Sequence, residues 1–216
     1  MRLQKAIFDM DGLIFDSERL FMEYLGKAMA EKGYKLTREI YVNSLGLDKN
    51  AVASYMKSVY GGEYPFAEMS GKAREGMKAA AFKGLPVKKG IRRLLDYLKD
   101  NGIECVVASS SETCFVRMYL EYAGLLEYFT ELTGGETVKK SKPEPEIFLK
   151  SLGGTEKSRA VILEDSENGV KAAVNAGIAV ICIPDMKRPS EDVLKYALAC
   201  VDDAEEAIEI IKAMEE

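Results

Sequence analysis

The sequence predicts an α/β fold: a Rossmann-like parallel sheet with an all-helical block inserted after the first strand. Three observations carry this reading. Short apolar runs rich in Val and Ile alternate with amphipathic stretches of helical length, the pattern of strand–helix–strand crossovers that cover both faces of a parallel sheet. Residues 16–82 interrupt that rhythm with helical spacing alone. The apolar runs also end in carboxylates and hydroxyls, as expected where an open parallel sheet presents its ligand-binding edge.

The first strand is "AIFD" (6–9). Asp16 and Ser17 then supply a helix start signal, and "DSERLFMEYLGKAMAEKG" carries apolar residues at helical spacing. "REIYVNSLG", "KNAVASYMKSVYG" and residues 64–82 read as further helices. The expectation is a helical cap domain over 16–83, set between two parts of a core domain, 1–15 and 84–216. "GLPVKKG" (84–90) returns the chain to the sheet. Strands are predicted at "IECVVAS" (103–109), more weakly near "YFTELTGG" (128–135), and at "AVILED" (160–165) and "AVICIPD" (179–185). Helices are predicted over 90–101, 111–123, 144–152 and 166–176.

Composition removes several function classes. A net charge of −5 gives no general attraction for a polyanion, so no nucleic-acid partner is expected. No apolar run approaches the roughly 20 residues a membrane span needs. The sequence contains no histidine, which excludes imidazole triads, His-ligated zinc and His proton shuttles. Cys105, Cys114, Cys182 and Cys200 are scattered without a C-x-x-C pair, so neither a zinc site nor a disulfide framework is suggested. Buried free thiols and a reducing cytoplasm fit that spacing. The paired glycines at 61–62, 134–135 and 153–154 lack a following GK[ST], so no P-loop is present.

The strand ends hold the chemistry. The first ends in Asp9-Met10-Asp11-Gly12, the second in Ser109-Ser110-Ser111, the fourth in Glu164-Asp165-Ser166, and Lys142 lies in the loop "KKSKPEPEIF". A calcium loop starting at Asp9 fails, because its fifth and twelfth positions are Leu13 and Leu20. Carboxylates, a hydroxyl and an ammonium together suit phosphoryl transfer. Asp9, Asp165, Glu164 and the Asp11 carbonyl would offer oxygens to a hard cation such as Mg²⁺. Ser109 and Lys142 would bind the phosphate. Two aspartates at spacing two share a side while the chain is extended, so one can attack phosphorus and the other carry the proton.

These residues, in this order, resemble the haloacid dehalogenase (HAD) superfamily of phosphotransferases, in the group that includes β-phosphoglucomutase and small sugar-phosphate phosphatases. Four motifs match: "FDMDG", Ser109 after "CVVA", Lys142 in "KPEPEIF", and "LEDSENG". The resemblance extends over essentially the whole chain and implies a HAD-type core with an inserted cap. It implies Asp9 as nucleophile, Asp11 as general acid/base, and Mg²⁺ at Asp9, the Asp11 carbonyl and Asp165; Mn²⁺ or Co²⁺ would serve as alternatives. One departure bears on function. The histidine that β-phosphoglucomutase-like members carry early in the first cap helix falls at or near Phe21 here, and the mutase's cap arginine aligns with Lys49. Both changes favour water as final acceptor. The expected protein is a phosphatase of small phosphorylated sugars with broad specificity, with a phosphosugar mutase and a sugar-phosphate sensor as alternatives. Glu18, Lys49 and Lys78 are the candidate substrate contacts from the cap. Oligomeric state is left open, a monomer being sufficient.

Overall fold

The computed structural model describes residues 2–47, 49–82 and 84–215. The chain divides into two compact units, Met1–Asp16 with Leu85–Glu216, and Ser17–Gly84. Each is described by itself.

The larger unit is built on six parallel strands: β1 (Lys5–Phe8), β2 (Glu104–Ala108), β3 (Phe129–Thr133), β4 (Ala160–Glu164), β5 (Ala179–Cys182) and β6 (Ala199–Cys200). Their order across the sheet is β3-β2-β1-β4-β5-β6. Side-chain alternation sends Ile7, Val106, Ala108, Ile162, Val180 and Cys182 into one apolar cluster. The helices after β3 and β4, Glu146–Leu152 and Glu167–Ala176, cover it with Phe148, Leu152, Val170 and Ala173. Burying each such Val, Leu, Ile or Phe side chain is worth about 1.5–3 kcal/mol. The alternate residues Ala6, Phe8, Val107, Val161, Leu163 and Ile181 are also buried. A strand buried on both faces reads as a continuous apolar run, which is why these strands are visible in the sequence.

Lys5 is the exception inside β1. It is buried, and its ammonium reaches the main-chain carbonyls of Ser151 (3.3 Å) and Leu152 (3.2 Å) and the Glu104 carboxylate (3.2 Å). Those carbonyls close a helix C-terminus, where a cation is favoured.

The strands end earlier than the sequence suggests. β5 stops at Cys182, because the Ile183 N–H makes the last ladder bond, to Glu164 O at 2.7 Å, and Pro184 has no N–H to continue. β6 and the helices Glu191–Leu194 and Ala204–Glu215 lie beyond any element predicted from sequence. A two-residue strand is too short to show periodicity.

In the unit Ser17–Gly84 the described residues form four helices: Ser17–Ala30, Arg38–Ser44, Lys49–Tyr60 and Phe66–Ala81. The first and last pack closely enough that a Cβ at Gly76 would stand 2.3 Å from Tyr24 Cδ1. Tyr34, Tyr60 and Tyr64 pack with ring centroids 5.0–5.6 Å apart. Lys72–Glu31 (2.6 Å) and Lys32–Glu68 (3.2 Å) tie the surface.

Candidate active site

Register brings the strand ends level. Phe8 pairs with Val107 on one side and Leu163 on the other, so the next residues, Asp9, Ala108 and Glu164, finish side by side. The chain then turns sharply. Gly12 adopts φ +85°, a conformation L side chains rarely take. The loop closes through Gly12 N–H to Phe15 O (3.0 Å) and Ile14 N–H to Met10 O (2.9 Å). Gly12 is required for a second reason: a Cβ there would lie 2.3 Å from Asp165 Oδ2. The same glycine therefore allows the turn and seats Asp165 against it.

Lys142 stands at the centre. Its side chain is only 7% exposed, and its Nζ donates to Asp9 Oδ1 (2.5 Å), Glu164 Oε1 (2.7 Å) and the Ala108 carbonyl (3.2 Å). The Phe148 ring lies 4.7 Å from Nζ, a cation–π contact that leaves the ammonium fixed rather than solvated. Glu164 is fully buried, and its other oxygen accepts from Asp165 N–H (2.8 Å), Ser166 N–H (2.9 Å) and Ser166 Oγ (3.0 Å). Ser166 also caps the following helix, accepting from Gly169 N–H at 3.1 Å. Space for the Glu164 carboxylate comes from Gly169, where a Cβ would be 1.8 Å from Glu164 Cδ.

Asp11 follows Asp9 after buried Met10, close enough for its charge to act on the Asp9 carboxyl. Its Oδ2 accepts from Ser111 Oγ at 2.8 Å. Ser109 is buried at the end of β2, its Oγ accepting from Ser111 N–H at 3.0 Å. One further carboxylate stands nearby: Asp185, beyond β5, accepts from Lys88 Nζ at 2.6 Å.

Carboxylate oxygens of Asp9, Glu164 and Asp165 lie within 4.8 Å of one another. Burial, together with the Glu164 and Asp11 charges, pushes the Asp9 carboxyl up to about 8 despite Lys142 beside it. Asp165 is raised by burial and by the Glu164, Asp9 and Asp185 charges. Burial pulls Lys142 down, but Asp9 and Glu164 outweigh it and hold the ammonium well above its ordinary value. Negative charge here exceeds what one lysine neutralises, and the donors are all hard oxygens. That set fits a small divalent cation such as Mg²⁺.

Asp9, Glu164, Asp165 and Lys142 are thus gathered directly, with Asp11 and Ser109 on the adjoining loops. Glu18, Lys49 and Lys78 belong to the other unit. There Glu18 Oε2 accepts from Tyr41 OH at 2.5 Å, and Phe21 lies beside Tyr41 with ring centroids 6.4 Å apart. Lys49 opens the third helix and Lys78 is in the last turn of the fourth. Sequence reasoning named Ser111 at the strand end without giving it a role, and missed Gly169, Lys88 and Asp185. Asp185 left a usable signal, since "AVICIPD" also ends in a carboxylate.

Fold and site together define a Rossmann-like α/β protein whose acidic groups converge at the carboxyl ends of the strands. The chain belongs to the haloacid dehalogenase-like hydrolase family, whose sequence model matches residues 6–183. It is 27% identical over 178 residues to a phosphorylated carbohydrates phosphatase of Thermotoga maritima, covering 82% of each chain. It is 29% identical over 184 residues to hexitol phosphatase B of Escherichia coli, covering 83% of this chain and 82% of that one. The crystal structure of CbbY from Rhodobacter sphaeroides in complex with phosphate superposes with TM-score 0.78 at 25% identity, over 97% of this chain and 99% of that one. No helix among the described residues is long and apolar enough to cross a membrane.

Proposed function

We propose that this protein is a divalent-metal-dependent phosphatase of small phosphorylated carbohydrates, acting through an aspartyl phosphate on Asp9. The observation that carries the reading is Lys142, buried and shared between Asp9 and Glu164 beside Asp165. One ammonium among three carboxylates leaves surplus negative charge, which a bound cation would offset so that an anionic phosphate can approach Asp9. The names of the two phosphatase relatives supply the substrate class.

Asp9, Asp165 and the Asp11 carbonyl would hold Mg²⁺, or Mn²⁺ or Co²⁺, whose charge screens the substrate phosphate from the carboxylates. Both Glu164 oxygens already accept hydrogen bonds, so Glu164 serves better as the anchor of Lys142 than as a direct ligand. Asp9 attacks phosphorus, and the P–O bond to the sugar breaks. Asp11, oriented by Ser111, gives its proton to the departing alkoxide, then takes one from the water that hydrolyses the aspartyl phosphate. Ser109, with main-chain N–H groups, and Lys142 hold the phosphoryl oxygens. The missing histidine and Lys49 in the arginine position favour water over a second sugar hydroxyl as acceptor. Four cysteines without a disulfide suit an enzyme of the cytoplasm.

The test is phosphate release from a panel of hexose, tetrose and deoxyhexose phosphates, with Mg²⁺ and with chelator, beside Asp9→Asn. Release that needs metal and disappears in Asp9→Asn is expected. An isomerised sugar phosphate with no free phosphate would make the protein a mutase instead. Binding without either product would make it a sensor.

A further inference from the structure

The four cysteines give no disulfide pattern in the sequence, but the sheet brings two of them together. Cys182 ends β5 and Cys200 ends β6, and they are register partners on neighbouring parallel strands. Paired residues in a sheet point to the same face, and both cysteines meet the apolar cluster beneath the helices Glu146–Leu152 and Glu167–Ala176. Neighbouring strands lie about 4.8 Å apart, inside the ~4.4–6.8 Å window of Cα separations that a disulfide spans. The thiols interact with each other by hydrogen bonding, and burial first, then Cys200, raises Cys182 well above the ordinary thiol value. Cys182 is fully buried, whereas Cys200 is half-buried on the last strand of the sheet. Cys200 is therefore the more accessible of the two, with Cys182 behind it.

We infer that Cys182 and Cys200 form a reversible redox pair, a modification site separate from the acidic cluster, closed by a hydroperoxide and reopened by a dithiol. Cys200 gives up its thiol proton and attacks the peroxide as the thiolate; the O–O bond breaks, Cys200 becomes a sulfenic acid, and the departing hydroxide takes up that proton as water. The Cys182 sulfur then bonds to the Cys200 sulfur, the S–O bond breaks, and the departing hydroxide takes the Cys182 proton as a second water. Two sulfurs lose one electron each and the peroxide gains both. With Cys200 half-buried, the bond would lie nearer solvent than a fully buried one, and exposed disulfides are the more readily reduced. That suits a switch better than a permanent staple.

Closure would tie residues 183–199 into a loop. This segment carries Asp185, bound by Lys88 (2.6 Å), and Ser190, whose N–H donates to Glu167 Oε2 at 3.1 Å. The bond would therefore brace the side of the sheet that bears Asp185. The inference stands on the sheet register and does not depend on the proposed activity.

To test it, the reduced full-length protein is treated with hydrogen peroxide, alkylated, digested with trypsin and mapped by mass spectrometry. The expected product joins peptides 172–187 and 196–212 at two hydrogen masses below their sum, and dithiothreitol separates them. Oxidation should raise the melting midpoint by on the order of 5 °C, and Cys200→Ser should abolish both the link and the shift. Exposed Cys114 reports that the oxidant acted. Oxidised Cys114 with Cys182 and Cys200 both alkylated as thiols would overturn the inference, as would a link from either cysteine to any other residue.

Discussion

Gly169 stands where the Glu164 carboxylate needs room: a Cβ at 169 would fall 1.8 Å from Glu164 Cδ and 1.9 Å from its Oε1. The glycine is therefore part of the site although it has no side chain. Through Glu164 it decides where Lys142 sits, and through Lys142 how Asp9 is held.

Gly169→Ala should displace the Glu164 carboxylate and lower stability by about 1–3 kcal/mol, the usual range for overpacking. Glu164→Ala alone should cost about 3–5 kcal/mol, since it leaves a buried ammonium short of a partner. The double mutant should cost less than the two single losses together, because the clash has gone. Urea unfolding of the four proteins reads this directly. Strict additivity would separate Gly169 from Glu164.

Metal-free protein should lose stability as pH rises. The Asp9 carboxyl is raised from 3.8 to about 8 in the folded chain, so between those values the folded state binds more protons than the unfolded one. By linkage the stability this group contributes is complete at the acid end and gone above about pH 8; Asp165 acts in the same direction. Mg²⁺ favours the ionised carboxylates, so the gain in melting temperature on adding it should be larger near pH 8 than near pH 5. A pH-independent gain would remove these carboxylates from the cation site.

Ser111→Ala removes the hydroxyl that donates to Asp11 Oδ2. A hydrogen bond contributes about 0.5–1.5 kcal/mol, so kcat on a sugar phosphate should fall by up to about tenfold with little change in Mg²⁺ affinity. Ser111→Thr keeps the hydroxyl and should recover most of the rate. Equal loss in both variants would indicate disturbed packing instead of a lost donor.

Lys142→Met keeps much of the apolar stem but leaves Asp9, Glu164 and Asp165 with no cation between them. The apo protein should be destabilised most above neutral pH, where those carboxylates ionise. Mg²⁺ should restore part of the loss while phosphate release stays far below wild type. Differential scanning calorimetry with and without metal, beside the phosphate assay, measures both. A fully active Lys142→Met protein would remove Lys142 from the site.

Most of this architecture is written locally. Strands buried on both faces leave runs such as "CVVA" and "AVIL", and helices between them leave apolar residues at 3.6 spacing. Because each run stops at the sheet edge, Asp9, Asp11, Ser109, Glu164 and Asp165 are legible as strand-end residues from the sequence alone. The absence of histidine is equally a property of sequence, and it assigns proton transfer to other groups whatever the fold. What only the tertiary structure decided are relations between residues far apart in the chain. Lys142 and Asp9 are separated by 133 positions, Lys88 and Asp185 by 97, and Cys182 meets Cys200 only through the register of β5 and β6. No local propensity encodes these distances. They follow from strand order and from the space that Gly12 and Gly169 leave open, which exists only once the sheet and its helices have packed.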